Sequence, residues 1–189
     1  MAEKRQLDHR MMIRLLQPGP LALVTTLYRS VPNAMTAAWI MPLSMDPARV
    51  GVAIRPDRLT HEFVTRSEFF TLNVPNLDLL SAVHRCGVES GRDGDKFERA
   101  GLQPADGDVT DVPLIEQCVA HIECGLGGRF EFGDHDLFIG EVLGVQALDE
   151  AFDEVWKVDV DAGKIIHHLG GSSYAGLSRP YSASLSEDE

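Results

Sequence analysis

No run of apolar residues approaches the roughly 20 needed to cross a bilayer as a helix. The opening Met1-Ala2-Glu3-Lys4-Arg5-Gln6 is not followed by the apolar stretch of a secretory signal, so the expected compartment is the cytoplasm. Cysteine is scarce. Cys86, Cys118 and Cys124 leave one thiol unpaired in any disulfide scheme and contain no CxxC pair, which argues against a disulfide framework and for a reducing environment. Basic residues are outnumbered, 17 against 29 acidic ones, giving a net charge of −12. That balance opposes DNA, RNA and anionic membrane surfaces, because such partners draw much of their affinity from basic surface that releases counterions. Glycine-rich phosphate loops of the GxGxxG or GxxxxGK kind are missing as well, so neither a Rossmann nor a P-loop nucleotide site is expected.

What is present is the ordinary balance of a globular chain: 44% apolar and 24% charged residues over 189 positions, enough for one substantial core. A single domain over residues 1–181 is expected, with a small acidic tail, 182–189, expected to be disordered. A short lead-in helix is expected over 8–16, stopped at Pro18-Gly19-Pro20. Residues 21–27 and 34–44 read as two strands of a hairpin joined through 28–33, and 50–54 and 69–74 as further strands. Thr60 is placed as the N-cap of a short helix over 61–66, and Asn76 as the cap of another closed by Gly87 just past Cys86. The segment 88–112 is a long polar excursion carrying one short helix over 96–100, ended by Gly101. Three strand-like stretches follow, 119–126, 137–148 and 155–166, punctuated by Gly127-Gly128, Gly133-Asp134 and Asp161-Ala162-Gly163. Six or seven strands with short turns and a few peripheral helices predict a mainly β chain, closed or nearly closed as an antiparallel barrel, since closure removes exposed edges.

The most unusual local sequence is Asn33-Ala34-Met35-Thr36-Ala37-Ala38-Trp39-Ile40-Met41-Pro42-Leu43-Ser44, followed by Arg55-Pro56-Asp57-Arg58-Leu59-Thr60. Small Ala34, Ala37 and Ala38 would let a flat ring approach the backbone, Asn33 and Thr36 offer hydrogen bonds, and Trp39 offers an aromatic wall with one N–H donor. Taken alone, the same segment reads first as a buried strand with a core tryptophan. Arg58 and Thr60 sit at a helix start that attracts phosphate, or are merely a solvated turn residue and a cap. Lys96 lies in a polar stretch where lysines usually face solvent. His135, between Asp134 and Asp136, is flanked by carboxylates that favour its charged form, or is an ordinary turn histidine. The pair His167-His168 occupies opposite faces of a strand and has no cysteine to complete a ligand set, so no metal site is expected.

With Ser90-Gly91-Arg92-Asp93-Gly94-Asp95-Lys96-Phe97, the run from Pro113 to Cys118, the run from Gly133 to Glu141, and Gly170-Gly171 before Tyr174, these blocks occur in an order that resembles the flavoredoxin-type branch of the flavin reductase-like family. The resemblance covers roughly residues 20–171. It implies an FMN-binding split β-barrel of Greek-key-like antiparallel character, noncovalent FMN and a homodimer with the flavin near the subunit interface. It carries Asn33, Met35, Thr36, Ala37, Trp39, Ser44, Arg58, Thr60, Lys96, His135 and Tyr174 over as cofactor-binding residues, with the redox chemistry residing in FMN and no catalytic side chain assigned. Two roles follow from it: a flavin oxidoreductase accepting hydride at N5 from NADH or NADPH, or an electron carrier that exchanges with a redox partner protein and has no nicotinamide site. A relative of pyridoxamine-phosphate oxidases, or a haem binder on the same barrel, fits less well with the 33–39 and 91–97 blocks.

Overall fold

The computed structural model describes residues 4–183, and residues 184–189 of the expected acidic tail lie outside them. Seven strands satisfy one another's backbone in a single antiparallel sheet: β1 (Ala22–Tyr28), β2 (Val31–Ala37), β3 (Ile40–Met45), β4 (Ala48–Ile54), β5 (Phe69–Val74), β6 (Ala120–Phe132) and β7 (His135–Ala147). Their spatial order is β2-β1-β5-β6-β7-β4-β3. The two edge strands, β2 and β3, are consecutive in sequence, separated only by Ala38 and Trp39. The sheet therefore curls until its edges converge on Trp39, whose carbonyl accepts the Ala53 N–H at 2.9 Å. Val24, Met35, Val52, Phe70, Cys124 and Phe138, drawn from six different strands, meet in one buried cluster, as the interior of a split barrel requires.

The period-two alternation of strands sends the intervening side chains outward. Leu23 and Ala34 join Val83 and Cys86 of α3 (Leu80–Val88), Phe97 of α4 (Lys96–Ala100) and Ile166 in a second cluster. Helix α2 (Leu59–Ser67) contributes Val64 to the inner cluster. All three cysteines are buried and free, so they serve as small apolar fillers. A last hairpin, β8 (Ile166–Gly170) and β9 (Ser173–Gly176), pairs through β8 with Gly19–Pro20. No helix among the described residues is long and apolar enough to cross a membrane.

Several local expectations are corrected. The run 34–44 is not one strand, because Ala37 pairs with Ala22 while Ile40 pairs with Val52 on the other edge, and the chain must leave one ladder to reach the other. The hairpin loop 28–33 shrinks to Arg29 and Ser30, both left-handed (φ 50° and 61°), the geometry of a tight primed turn. Gly127-Gly128 does not end a strand; Gly127 is the extra residue of a bulge, since Ile139 pairs with Gly128 and Gly140 with Leu126. Between 155 and 166 only Val155–Trp156 is strand, paired with Phe152–Asp153, before turns lead to β8. Gly87 lies inside α3, which runs on to Val88. The lead-in helix is a 3-10 turn (His9–Met11) running into α1 (Met12–Leu16), with no buried residue in either.

Candidate functional site

Where the sheet edges converge, a cavity of about 500 Å³ opens. Its floor is small and apolar: Met35 and Ala37 from β2, Ala38 and Trp39 in the gap, and Ala53 and Ile54 from β4. The partly exposed Trp39 ring lies 4.3 Å from that of His135, tilted by 33°. His135 opens β7, and its Nδ1 lies 2.9 Å from Asp134 Oδ1; this hydrogen bond is the main cause holding the Asp134 carboxyl below its ordinary range. Only one flanking carboxylate reaches His135. Asp136, on the alternate face of β7, is buried against His61 Nε2 at 2.7 Å and Arg129 Nε at 2.8 Å, and the His61 hydrogen bond is the leading cause of its lowered pKa. The cavity floor has the shape and polarity that a planar heterocycle needs.

A second cleft, about 230 Å³, shares Met35 and Arg58 with the first and runs on from it. It is polar, lined by Asp57 and Glu89 as well as by Arg58 and Lys96. Arg58, not Thr60, occupies the N-cap of α2, in extended conformation and with no side chain capping the helix, so the first amide groups of α2 are left to another partner. Thr60 sits inside the first turn, 1% exposed, where its Oγ1 accepts from Asn33 Nδ2 at 2.8 Å and keeps its own hydrogen to donate. Asn33 Oδ1 is buried with no partner. It lies against Gly91, where a Cβ would come within 2.2 Å of it, so the glycine of the 90–97 block makes room for this amide.

Lys96 is not a solvent-facing loop residue. Asp95 caps α4 by accepting from the Phe97 and Glu98 amides, and this turns Lys96 inward until it is 5% exposed, with Nζ donating to Cys86 O at 2.8 Å. Burial lowers its pKa, opposed in part by Cys86 and Glu89. An ammonium group drawn toward neutrality by desolvation regains charge when an anion sits beside it.

Of the residues that the resemblance pointed to, Met35, Thr36, Ala37, Trp39, Arg58 and His135 line the larger cavity, while Asn33, Thr60 and Lys96 line the cleft. Thr36 has its hydroxyl proton committed to Val83 O at 2.6 Å, tying β2 to α3, so it can only accept from a ligand. Two residues line neither space. Ser44 pairs with Arg49 in the β3–β4 ladder, and Tyr174 holds His84 Nδ1 at 3.0 Å through its hydroxyl, whose pKa burial raises. The Tyr174 ring stands 5.3 Å from that of His168, which does line the cavity and is braced by Gln17 and the Gly171 carbonyl. Sequence reasoning passed over Arg10, Arg14, Gln17, Arg55 and His168. The doublet His167-His168 was visible, but only the pairing of β8 with Gly19–Pro20 brings it beside the lead-in segment.

The family described as Flavin reductase like domain matches residues 14–164. The fold is similar to an FMN-binding protein from Thermus thermophilus, solved with bound p-hydroxybenzaldehyde (TM-score 0.84, 28% identity, covering 97% of this chain and 100% of that one). It is similar also to the flavoredoxin of Desulfovibrio vulgaris (Miyazaki F), with a TM-score of 0.81 and 26% identity over 99% of each chain. By sequence, the chain is 31% identical over 121 residues, 64% of its length and 65% of the relative's, to an NADH-dependent FAD reductase of Streptomyces globisporus. The matched stretch takes in the whole cleft and all of the larger cavity's lining except Arg10, Met11, Ile13 and His168, and the chain belongs to the flavin reductase-like domain family.

Proposed function

We propose that this protein binds FMN noncovalently and works as a flavin oxidoreductase with NADH or NADPH as electron donor. The observation that carries this reading is the continuity of an apolar-floored cavity with a polar cleft in which Asn33 Oδ1 is left without a partner. The residues fit FMN on both counts: the floor from Met35 to Trp39 suits the ring, and the uncapped start of α2, the Thr60 hydroxyl, Arg58 and Lys96 suit its phosphate. When bound, the flavin supplies hydride acceptance at N5 and onward delivery of the electrons. The chain's part is to bind, orient and leave one face accessible. Trp39 and His135 border the ring space, and Asp134 fixes the His135 ring through Nδ1, leaving Nε2 without a protein partner among the described residues.

The donor assignment is supported by the reductase from Streptomyces globisporus, and an electron-carrier role by the flavoredoxin likeness. One experiment separates them. After FMN titration, followed by quenching of flavin fluorescence, anaerobic mixing with NADH or NADPH should bleach the flavin absorbance rapidly. Bleaching only by a reduced protein would favour the carrier, and failure to take up FMN at all would overturn both. The same proposal includes a homodimer in the cytoplasm. Exposed apolar side chains near the cavity, among them Leu16 at 78% and Met41 at 50%, are surface that a second copy would cover. Light scattering at micromolar concentration should give twice the chain mass of 20.8 kDa.

A further inference from the structure

The wall of the larger cavity carries four arginines, Arg10, Arg14, Arg55 and Arg58, two histidines and no carboxylate, in a chain whose net charge is −12. The two pairs differ. Arg55 and Arg58 share Asp57, at 3.0 Å and 3.7 Å, and Arg58 and Asp57 also line the cleft that suits the flavin phosphate. Arg10 and Arg14 come from the lead-in segment. Arg10 has only a solvent-exposed contact with Asp8 at 3.5 Å, of the kind that salt screens. Arg14 has no ion-pair partner among the described residues, and its guanidinium lies against Gly170, where a Cβ would collide with it. A positively charged wall without a carboxylate concentrates anions locally even when the molecule as a whole repels them.

We infer that Arg10 and Arg14 form a pyrophosphate subsite for a nicotinamide dinucleotide lying over the flavin pocket. This rests on the donor reading given above and names the residues that would grip the donor. The two arginines are four positions apart on continuous helical backbone, so their side chains rise from one face about 6 Å apart. Two planar forks lining one cavity suit two linked phosphate groups, each able to take a bidentate pair of hydrogen bonds. A single carboxylate would use only one of them. The flavin phosphate has its own cleft, built from Thr60, Lys96 and the start of α2, so the second pair of arginines is surplus to flavin binding.

The test uses the FMN-loaded protein and the double variant Arg10→Ala/Arg14→Ala. Calorimetric titration with ADP-ribose, which carries the pyrophosphate and no nicotinamide, reads the subsite without any redox step. The variant should weaken ADP-ribose binding about tenfold or more, lose its salt dependence and retain the wild-type affinity for FMN. Its preference for NADH over the uncharged donor 1-benzyl-1,4-dihydronicotinamide should fall by a similar factor. Arg14→Lys should keep part of the affinity, and Gly170→Ala, which leaves both arginines in the sequence but displaces one, should behave like loss of Arg14. Unchanged ADP-ribose binding in the double variant overturns the inference, as does a parallel loss of FMN affinity, which would give these arginines to the flavin phosphate. Wild-type protein that binds ADP-ribose but is bleached by neither NADH nor NADPH sinks the donor reading and leaves the subsite standing. Bleaching by NADH with no binding of ADP-ribose does the reverse.

Discussion

Glu123 and Lys96 are both charged side chains taken almost wholly out of water, at 2% and 5% exposure, and they are provided for in opposite ways. The Glu123 carboxylate on β6 accepts the backbone amides of Asp108, Val109 and Thr110, at 3.0, 3.2 and 2.8 Å, and the Thr110 hydroxyl at 3.0 Å. Burial alone would raise its pKa, but the hydrogen bonds from Thr110, Val109 and Asp108 together outweigh it and hold the carboxyl below its ordinary range. Lys96 has one protein acceptor, the Cys86 carbonyl, and beside it lie an orphaned Asn33 Oδ1, an undonated Thr60 hydroxyl and an uncapped helix. A buried polar cluster that is fully satisfied fixes a loop; one with capacity left over is built for a ligand.

Substitution should separate the two clusters by the sign of their effects. Glu123→Ala leaves three amides without their acceptor, and should cost about 3 kcal/mol in urea denaturation while leaving the FMN dissociation constant as it was. Because the folded pKa of Glu123 is depressed, its contribution is present above the unfolded value of 4.5 and is lost as pH falls through the folded value. The stability gap between wild type and variant should therefore close in acid, and a gap that persists there would break the assignment. Lys96→Met should do the opposite: weaken FMN by about 10- to 100-fold, the range for one charge-assisted hydrogen bond, with stability kept or raised because a desolvated charge is gone. Equal loss of stability in both variants would erase the distinction.

Asn33→Ala probes the junction, since Asn33 both holds Thr60 and presents the free Oδ1. About 1 kcal/mol should be lost from stability and a similar amount from FMN affinity, seen as a roughly fivefold rise in dissociation constant. The smallest effect is on pH dependence. FMN affinity should begin to fall at a pH below the 10.5 of an unperturbed lysine, as Lys96 with its lowered pKa gives up its proton. In the Lys96→Met variant that slope should vanish, and an unchanged slope would assign it to another group.

Much of this was legible from the chain. The strands around Val24, Val52 and Phe70 announce themselves as short apolar runs with β-branched members bounded by proline, and α4 by its Gly101 stop, because these signals act within a few residues. The blocks at 33–44 and 90–97 supply Met35 to Trp39 to the cavity and Asn33, Ser90, Gly91 and Lys96 to the cleft. Less legible was the break at Ala38 and Trp39: the stretch 37–43 holds no polar residue, and only the pairing partners on either side show that it must change edges. The burial of Lys96 was hidden for a similar reason, since the Asp95 cap that turns it inward is a local signal but the Cys86 carbonyl it meets is on another helix.

The sequence by itself determined the class of chain: mainly β, without disulfides, acidic, with short turns and a family resemblance strong enough to suggest a flavin. Which side chains share the site was decided by the fold. Arg14 and His168 are 154 positions apart, and both border one cavity only because β8 pairs with Gly19–Pro20 and carries His168 to the lead-in segment. Local composition fixes propensity and periodicity, which act over one turn or one strand; the meeting of distant residues depends on which strands share a ladder, and that is settled by the burial of the whole barrel interior together.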